Sequence, residues 1–213
     1  TLFIDLEFAI YVGVMLSFLI FLNKSAHPFI GIGAPDPNTK HRMFRSAETN
    51  NLIECPQLAF VRMDGPFYFG SVEHVRRKFR EIERRRAQQK HMLFMVKGVG
   101  EIDLPAAELL IEEARRRKRR GGSFHVQAKQ IAAISRLERF HVSEALSTAH
   151  VHTSKGDAIS EIVPTLDQSI CATCEARIFR ECPDPADFLS AEEKAQNSEP
   201  AVEKTDETPS SKT

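Results

Sequence analysis

The first part of the chain is an apolar run, residues 8–22, that contains no charge. Its fifteen residues form a helix of about 22 Å, and extension back to Leu2 gives about 31 Å but includes Asp5 and Glu7. Since a hydrocarbon core is about 30 Å thick, we predict a transmembrane helix over residues 1–23. A buried core helix is the alternative that length alone leaves open. A signal peptide fits poorly, because acids precede the run.

The residues around this run indicate how the helix is used. Lys24 and several basic residues between 40 and 45 follow it, so the positive-inside rule puts its C-terminal side in the cytoplasm. Gly13 and Ser17 are four positions apart, a spacing that lets another helix approach closely. Asp5 and Glu7 would be costly against lipid. We therefore expect one helix of a larger membrane bundle whose other helices are absent from this chain.

After residue 50 the hydrophobic pattern alternates between strand and helix periods. Short apolar runs predict strands at 58–63, 91–96 and 123–128, with a strand edge at 67–69. Helical spacing predicts a helix capped by Ser71, a second from about Pro105, a third over 129–140 and a short fourth over 155–163. This order predicts an α/β fold with a mixed, mostly parallel sheet and helices packed on it.

Composition divides the chain further. Residues 24–50 are dense in proline and glycine and predict a linker, so the folded domain is expected over residues 51–165. Residues 166–213 contain three cysteines and an acidic tail with few large apolar residues, which we expect to be mostly disordered.

The formal net charge is zero, but residues 51–150 are basic and residues 151–213 are acidic. The basic run 115–120 is expected to be a solvated helix end that interacts favourably with the helix dipole. Contact with anionic lipid is the second interpretation. Nucleic-acid binding ranks last, because no aromatic residues are interleaved with the run.

One loop follows the predicted central strand and leads into a helix. Gly98 and Gly100 do not complete a dinucleotide or Walker fingerprint. Asp103 is placed to cap the helix, and Pro105 is tolerated in its first turn. A helix cap explains Asp103 fully, while the same position is where α/β folds place ligand or partner contacts. The histidines are scattered at turn-like positions and are expected on the surface.

The cysteines raise the question of a metal. Cys171 and Cys174 form a C-x2-C pair, and Cys182 follows. Tetrahedral zinc wants four ligands, and Cys55, His150 or His152 could supply the fourth. Reduced structural thiols are favoured over zinc, because half of the usual paired signature is missing. We therefore expect no cofactor, with zinc as the alternative.

Three segments in order resemble one family of membrane proteins. Residues 5–17 resemble the last membrane helix of SulP-type sulfate permeases, and residues 64–74 resemble the opening of the STAS domain that follows it. Residues 98–110 resemble the strand–loop–helix segment of that domain. The resemblance covers about residues 2–165.

The resemblance implies a regulatory and interaction domain, without enzymatic activity, of a secondary anion transporter of the sulfate or bicarbonate type. It implies a location in the inner membrane with the C-terminal domain in the cytoplasm. The implied partners are the rest of the membrane domain, a second copy through the transporter, and a cytosolic protein or anionic lipid, but no nucleic acid. A self-sufficient, membrane-anchored STAS regulator and a cysteine-based metal sensor are the rival hypotheses.

One position departs from the family pattern. Stand-alone STAS proteins carry a phosphorylated serine directly after the aspartate of this loop, whereas this chain has Leu104 after Asp103. Leucine has no hydroxyl, so phosphorylation at this position is excluded. Any regulation by this loop is therefore expected to act through binding. The loop residues are Gly98, Gly100, Asp103, Leu104 and Pro105.

Overall fold

The structure is a computed structural model that describes residues 2–36, 39, 43–97, 102–146 and 150–184. The helices are α1 Leu2–Ala26, α2 Ala47–Asn50, α3 Phe69–Arg85, α4 Leu104–Arg119, α5 Ile131–Arg139, α6 Val142–Leu146, α7 Lys155–Ile162 and α8 Gln168–Ala172. The strands are β1 Phe29–Pro35, β2 Phe44–Ser46, β3 Leu58–Asp64, β4 His91–Lys97, β5 Phe124–Ala128 and β6 Val151–His152. A 3₁₀ turn, Val163–Thr165, follows α7.

Within the described residues the strands form one six-stranded sheet in the order β2-β1-β3-β4-β5-β6. Strands β3 to β6 are parallel, and β1 is antiparallel to both β2 and β3. Each parallel connection contains a helix, as βαβ crossovers require. The predicted α/β fold with a mostly parallel sheet is confirmed.

Both faces of the sheet are covered, which explains the continuous apolar character of β3 and β4. Helices α3 to α6 pack on one face around Phe79, Phe94 and Phe124. Helix α7, the 3₁₀ turn and the segment that contains Phe179 cover the other face, where they contact Phe60 and Leu93. The two faces therefore have separate hydrophobic cores.

The linker predicted over residues 24–50 is wrong for much of its length, because β1, β2 and α2 lie there. Ile32 and Ala34 are buried and alternate with more exposed positions, as in a half-covered strand. Strand β1 tolerates Pro35 because this proline is its last residue. Gly31 lies under the ring of Phe29, so its lack of a side chain serves close packing.

The start of α3 also differs from the prediction. Phe67 makes a single parallel bridge to Ile102, and the helix begins at Phe69. Ser71 is therefore inside the first turn and is not the cap. Its hydroxyl accepts the Tyr68 backbone N–H at 3.1 Å and donates to the Pro66 carbonyl at 3.1 Å. A buried serine thus fixes the turn that precedes the helix.

The apolar run forms α1, which continues to Ala26. Residues Leu6–Ala26 have a mean hydropathy of 2.0, and none of the apolar window is buried against the rest of the described chain. By length and composition this helix can cross a membrane. The predicted N-terminal apolar helix is confirmed, and the core-helix alternative is wrong because none of the apolar window is buried within the described part of the chain. The predicted disordered tail lies outside the described residues from 185 onward.

Candidate functional site

The candidate site is the edge of the sheet where α3 and α4 begin. Asp103 is the N-cap of α4, and its Oδ1 accepts the Ala106 backbone N–H at 3.0 Å. Its Oδ2 accepts the Phe69 backbone N–H at 2.7 Å. One carboxylate therefore satisfies donors at the start of two helices that are 34 residues apart in sequence.

The other predicted loop residues divide into two groups. Pro105 lies in the first turn of α4, as predicted, and Leu104 is exposed on the surface. Gly98 and Gly100 lie outside the described residues. Sequence reasoning did not include Phe69 in the site. Its side chain is 72% exposed, and the bond from its N–H to Asp103 is what shows that it adjoins the loop. The site therefore carries two exposed apolar side chains: Phe69, whose backbone N–H bonds to Asp103, and Leu104, which follows Asp103 in the chain.

The basic run at the end of α4 is partly internal, so the expectation of a solvated helix end is wrong for its centre. Arg117 is 2% exposed and donates to Glu113 at 2.7 Å and to the Gln89 and Lys90 carbonyls, each at 3.1 Å. Arg116 and Arg120 both pair with Glu83 of α3. These arginines hold α3, α4 and the turn before β4 together, which leaves fewer charges for a lipid surface.

Four histidines lie near the β5–β6 end of the sheet, so the expectation of scattered surface histidines is wrong for this group. His91 Nδ1 lies 2.8 Å from Ser123 Oγ, which lies 3.0 Å from His125 Nε2. His125 Nδ1 lies 3.0 Å from His152 Nε2. The ring of His150 lies 4.1 Å from that of His125. The pairing of β4 with β5 and of β5 with β6 brings these residues together, and no sequence spacing showed it.

The pKa of each histidine in this group is lowered, so protonation is disfavoured in the folded protein. Burial lowers the pKa of His125 to about 3, and His150, His152 and His91 act in the same direction. Burial also lowers the pKa of His91, His150 and His152. All four imidazoles are therefore neutral in the folded protein at neutral pH, and each can donate one hydrogen bond and accept another.

The predicted cysteine cluster is brought together. Cys55, Cys171, Cys174 and Cys182 line one small cavity on the α7 face of the sheet. Burial raises the pKa of the Cys55 thiol to about 11, and the neighbouring Cys174 and Cys182 act in the same direction. In the described part of the chain, no group of three or more His, Cys, Asp or Glu side chains is arranged to hold a metal ion as it stands. Neither His150 nor His152 lines this cavity.

The comparisons with known proteins identify the domain. A family model described as the STAS domain matches residues 47–158. No curated protein matches the chain in sequence. Among solved structures, SLC26A9 is similar with a TM-score of 0.61 and 16% identity over 76% of this chain and 28% of that one. The murine solute carrier 26 family member A9 anion transporter in its inward-facing state gives 0.60 and 20% over 71% and 25%.

This chain therefore spans about a quarter of the length of the transporters that it resembles. At these identities the likeness supports the fold, and the family match covers more than half of the chain. The chain belongs to the STAS domain family.

Proposed function

We propose that this chain is the C-terminal part of a SulP-type secondary anion transporter, in which α1 is the last membrane helix and the STAS domain regulates transport from the cytoplasm. The chain carries no catalytic function in this proposal. The transport site belongs to membrane helices that precede α1 in the complete protein. Sulfate, bicarbonate and dicarboxylates are the substrate candidates.

The observation that carries the proposal is that an exposed apolar helix directly precedes a STAS domain in the same chain. The apolar residues of α1 from Leu6 onward are exposed, including Phe8, Leu16 and Phe21. A soluble protein rarely leaves an apolar surface of this size in water. A lipid bilayer or neighbouring membrane helices are the surroundings that it fits. Both similar structures described above are of an anion transporter family.

The connection between α1 and the domain is short. Only His27 and Pro28 separate the end of α1 from β1. The His27 and His74 rings are 5.0 Å apart, so the helix end contacts α3. Pro28 also packs against Gly65, where an added Cβ would lie 3.1 Å from the Pro28 Cβ. A tilt of α1 would therefore be passed to β1 and α3 instead of being absorbed by a flexible linker.

We assign the regulatory contact to the edge that carries Phe69 and Leu104. These side chains lie at the beginnings of α3 and α4, and His74 in the second turn of α3 contacts the end of α1. An apolar pair at this edge suits contact with the membrane domain of the same transporter. Leu104 cannot be phosphorylated, so regulation would act through binding. The basic end of α4 lies near Glu83, several turns away, and supports lipid contact less well.

Uptake measurements test the proposal. Cells that express the complete gene would be compared with empty-vector cells for uptake of labelled sulfate, bicarbonate and dicarboxylate. The variant Leu104→Asp would be compared with Ile53→Asp, since both residues are exposed and neither substitution disturbs the core. We expect uptake of one anion, a several-fold change in its rate for Leu104→Asp, and no change for Ile53→Asp.

Two outcomes would contradict the proposal. Uptake of every anion at the empty-vector level, with the protein present in the membrane, would remove the transporter assignment. It would leave the membrane-anchored STAS regulator as the candidate. Equal uptake by the Leu104→Asp and Ile53→Asp variants would remove the regulatory edge while keeping the transporter assignment.

A further inference from the structure

All four cysteines of the chain meet at one place, although they come from two distant parts of the sequence. Cys55 precedes β3, and the other three lie in the segment after the 3₁₀ turn. Together they line a cavity of about 20 Å³. The lining contains neither a carboxylate nor an imidazole. Apart from the amide of Gln57, whose oxygen already accepts the Asp167 N–H, the side-chain donors of this lining that can ligate a metal are thiols.

We propose that these four thiols bind a single zinc ion, which fastens the segment 166–184 to the STAS domain. Four thiolates at about 2.3 Å in tetrahedral arrangement are the ligands of structural zinc. Soft thiolates select zinc over calcium and magnesium, which prefer oxygen ligands. A cavity of 20 Å³ accommodates about one water-sized atom, so it suits a single ion and not an iron–sulfur cluster.

The neighbouring groups suit a thiolate site. Zinc with four thiolates carries two negative charges, and the cationic residue Arg177 lines the same cavity. Arg177 is held there by its bond from Nη1 to the Pro183 carbonyl at 2.8 Å. Gln57 Nε2 donates to Cys171 Sγ at 3.4 Å. Positive charge and N–H donors around the sulfurs stabilise the deprotonated ligands.

Zinc would also strengthen the attachment of the segment 166–184 to the domain. Residues 166–184 contain one short helix, α8, and otherwise irregular backbone. Leu166 and Phe179 of this segment are buried against the sheet, where the Phe179 ring lies 5.1 Å from that of Phe60. Gln57 adds hydrogen bonds, because its Nε2 donates to the Asp167 carbonyl at 3.0 Å and its Oε1 accepts the Asp167 N–H at 2.9 Å. Zinc would add four bonds at the same place.

Zinc binding requires a change at the thiols. The cysteine side chains line the cavity without forming a ligand set as they stand. The inference therefore requires the sulfurs to converge by rotation about the Cα–Cβ bonds, each of which has three staggered positions. Each thiol loses its proton to the solvent as its bond to zinc forms, and the zinc ion supplies no electrons.

Metal analysis of the whole chain in detergent tests this inference. Zinc and iron would be measured by mass spectrometry after purification and after incubation with zinc. Cobalt would replace zinc, because thiolate ligation gives an intense near-ultraviolet charge-transfer band. We expect about one zinc per chain and this band with cobalt. Cys55→Ser and Cys174→Ser should lose both signals, while Thr173→Ser, between two of the proposed ligands, should keep both.

Three results would overturn the inference. The first is a chain that binds no zinc even after incubation, with all four thiols still titratable. The second is zinc that is retained in full by both cysteine variants, which would place the ion elsewhere. The third is iron together with sulfide. If the variants fail to fold, the zinc content and cobalt spectrum of the unmodified chain still decide. None of these measurements depends on anion transport.

Discussion

The Oδ2 atom of Asp103 lies 2.7 Å from the backbone nitrogen of Phe69. The same carboxylate caps α4 through Ala106. One side chain thus joins the starts of α3 and α4, next to the exposed side chains of Phe69 and Leu104. In this chain the conspicuous aspartate of the STAS loop has a structural task that is independent of phosphorylation.

Replacing Asp103 by alanine should destabilise the domain. Loss of an N-cap costs about 0.5–2 kcal/mol, and the Phe69 N–H loses its partner as well. Asp103→Asn keeps one acceptor oxygen, so it can accept the Ala106 or the Phe69 N–H but not both. Its stability should therefore lie between those of the original chain and the alanine variant. Urea unfolding in detergent, followed by circular dichroism, measures both. Equal stability of the alanine variant and the original chain would contradict the assigned role.

Removing Arg117 should be the most damaging change in the basic run. It leaves Glu113 buried without its partner, which costs about 3–5 kcal/mol for a buried pair. Arg119→Ala is the matched control, because Arg119 is exposed in the same helix turn. Its effect should stay within about 0.5 kcal/mol. The same unfolding measurement ranks the two, and similar losses would show that the run acts only through its total charge.

The double substitution Arg117→Met with Glu113→Leu sharpens this test. It removes both buried charges while filling a similar volume. Replacement of a buried ion pair by apolar residues is often neutral or stabilising. We expect the double variant to recover most of the stability lost by Arg117→Met alone. No recovery would mean that the bonds from Arg117 to the Gln89 and Lys90 carbonyls dominate.

The histidine group should make stability depend on pH. Burial holds the His125 pKa at about 3 in the folded state, against 6.5 ordinarily. As the pH falls, His125 is protonated in the unfolded chain before it is protonated in the folded one. The contribution of neutral His125 to the free energy of unfolding is therefore complete above pH 6.5 and falls as the pH drops towards 3. For one such histidine the slope is about 1.4 kcal/mol per pH unit.

Unfolding free energies between pH 7 and 5 test this dependence. His125→Gln should flatten the profile, because glutamine does not titrate and can still bond to Ser123 or His152. His141→Gln is the control, since the side chain of His141 is 74% exposed. If the free energy of unfolding depends on pH in the same way in the original chain and in His125→Gln, then the pKa of His125 does not differ between the folded and unfolded states.

Arginine in the middle of α1 should prevent stable membrane association. A charge at the centre of a spanning helix costs about 2.5–3.5 kcal/mol on insertion scales. Leu16→Arg would be compared with Asn23→Arg, which lies near the end of the helix where a long cation can reach the interface. Alkaline extraction of membranes should release more of the Leu16 variant. Equal retention of both would argue that α1 does not span.

Local patterns determined much of this protein. The uncharged run of α1, the apolar periods of β3, β4 and α3, and the cap at Asp103 act over a few neighbouring residues, so their outcome can be read from sequence spacing. The linker prediction for residues 24–50 failed because the density of proline and glycine describes composition and does not show which strand a segment can pair with. Whether β1 forms depends on its pairing with β3, a distant strand.

Only the tertiary structure decided the long-range relationships. Strand register placed His125 beside His152, crossover packing buried Arg117 against the turn before β4, and the return of the chain across the sheet brought Cys55 to Cys171, Cys174 and Cys182. In each case the residues are far apart along the chain. Burial and partner geometry, which set their pKa values and hydrogen bonds, exist only once the elements pack. The sequence alone determined the apolar N-terminal helix and the class of domain behind it, and the packing of that domain decided which of its charged and thiol groups meet.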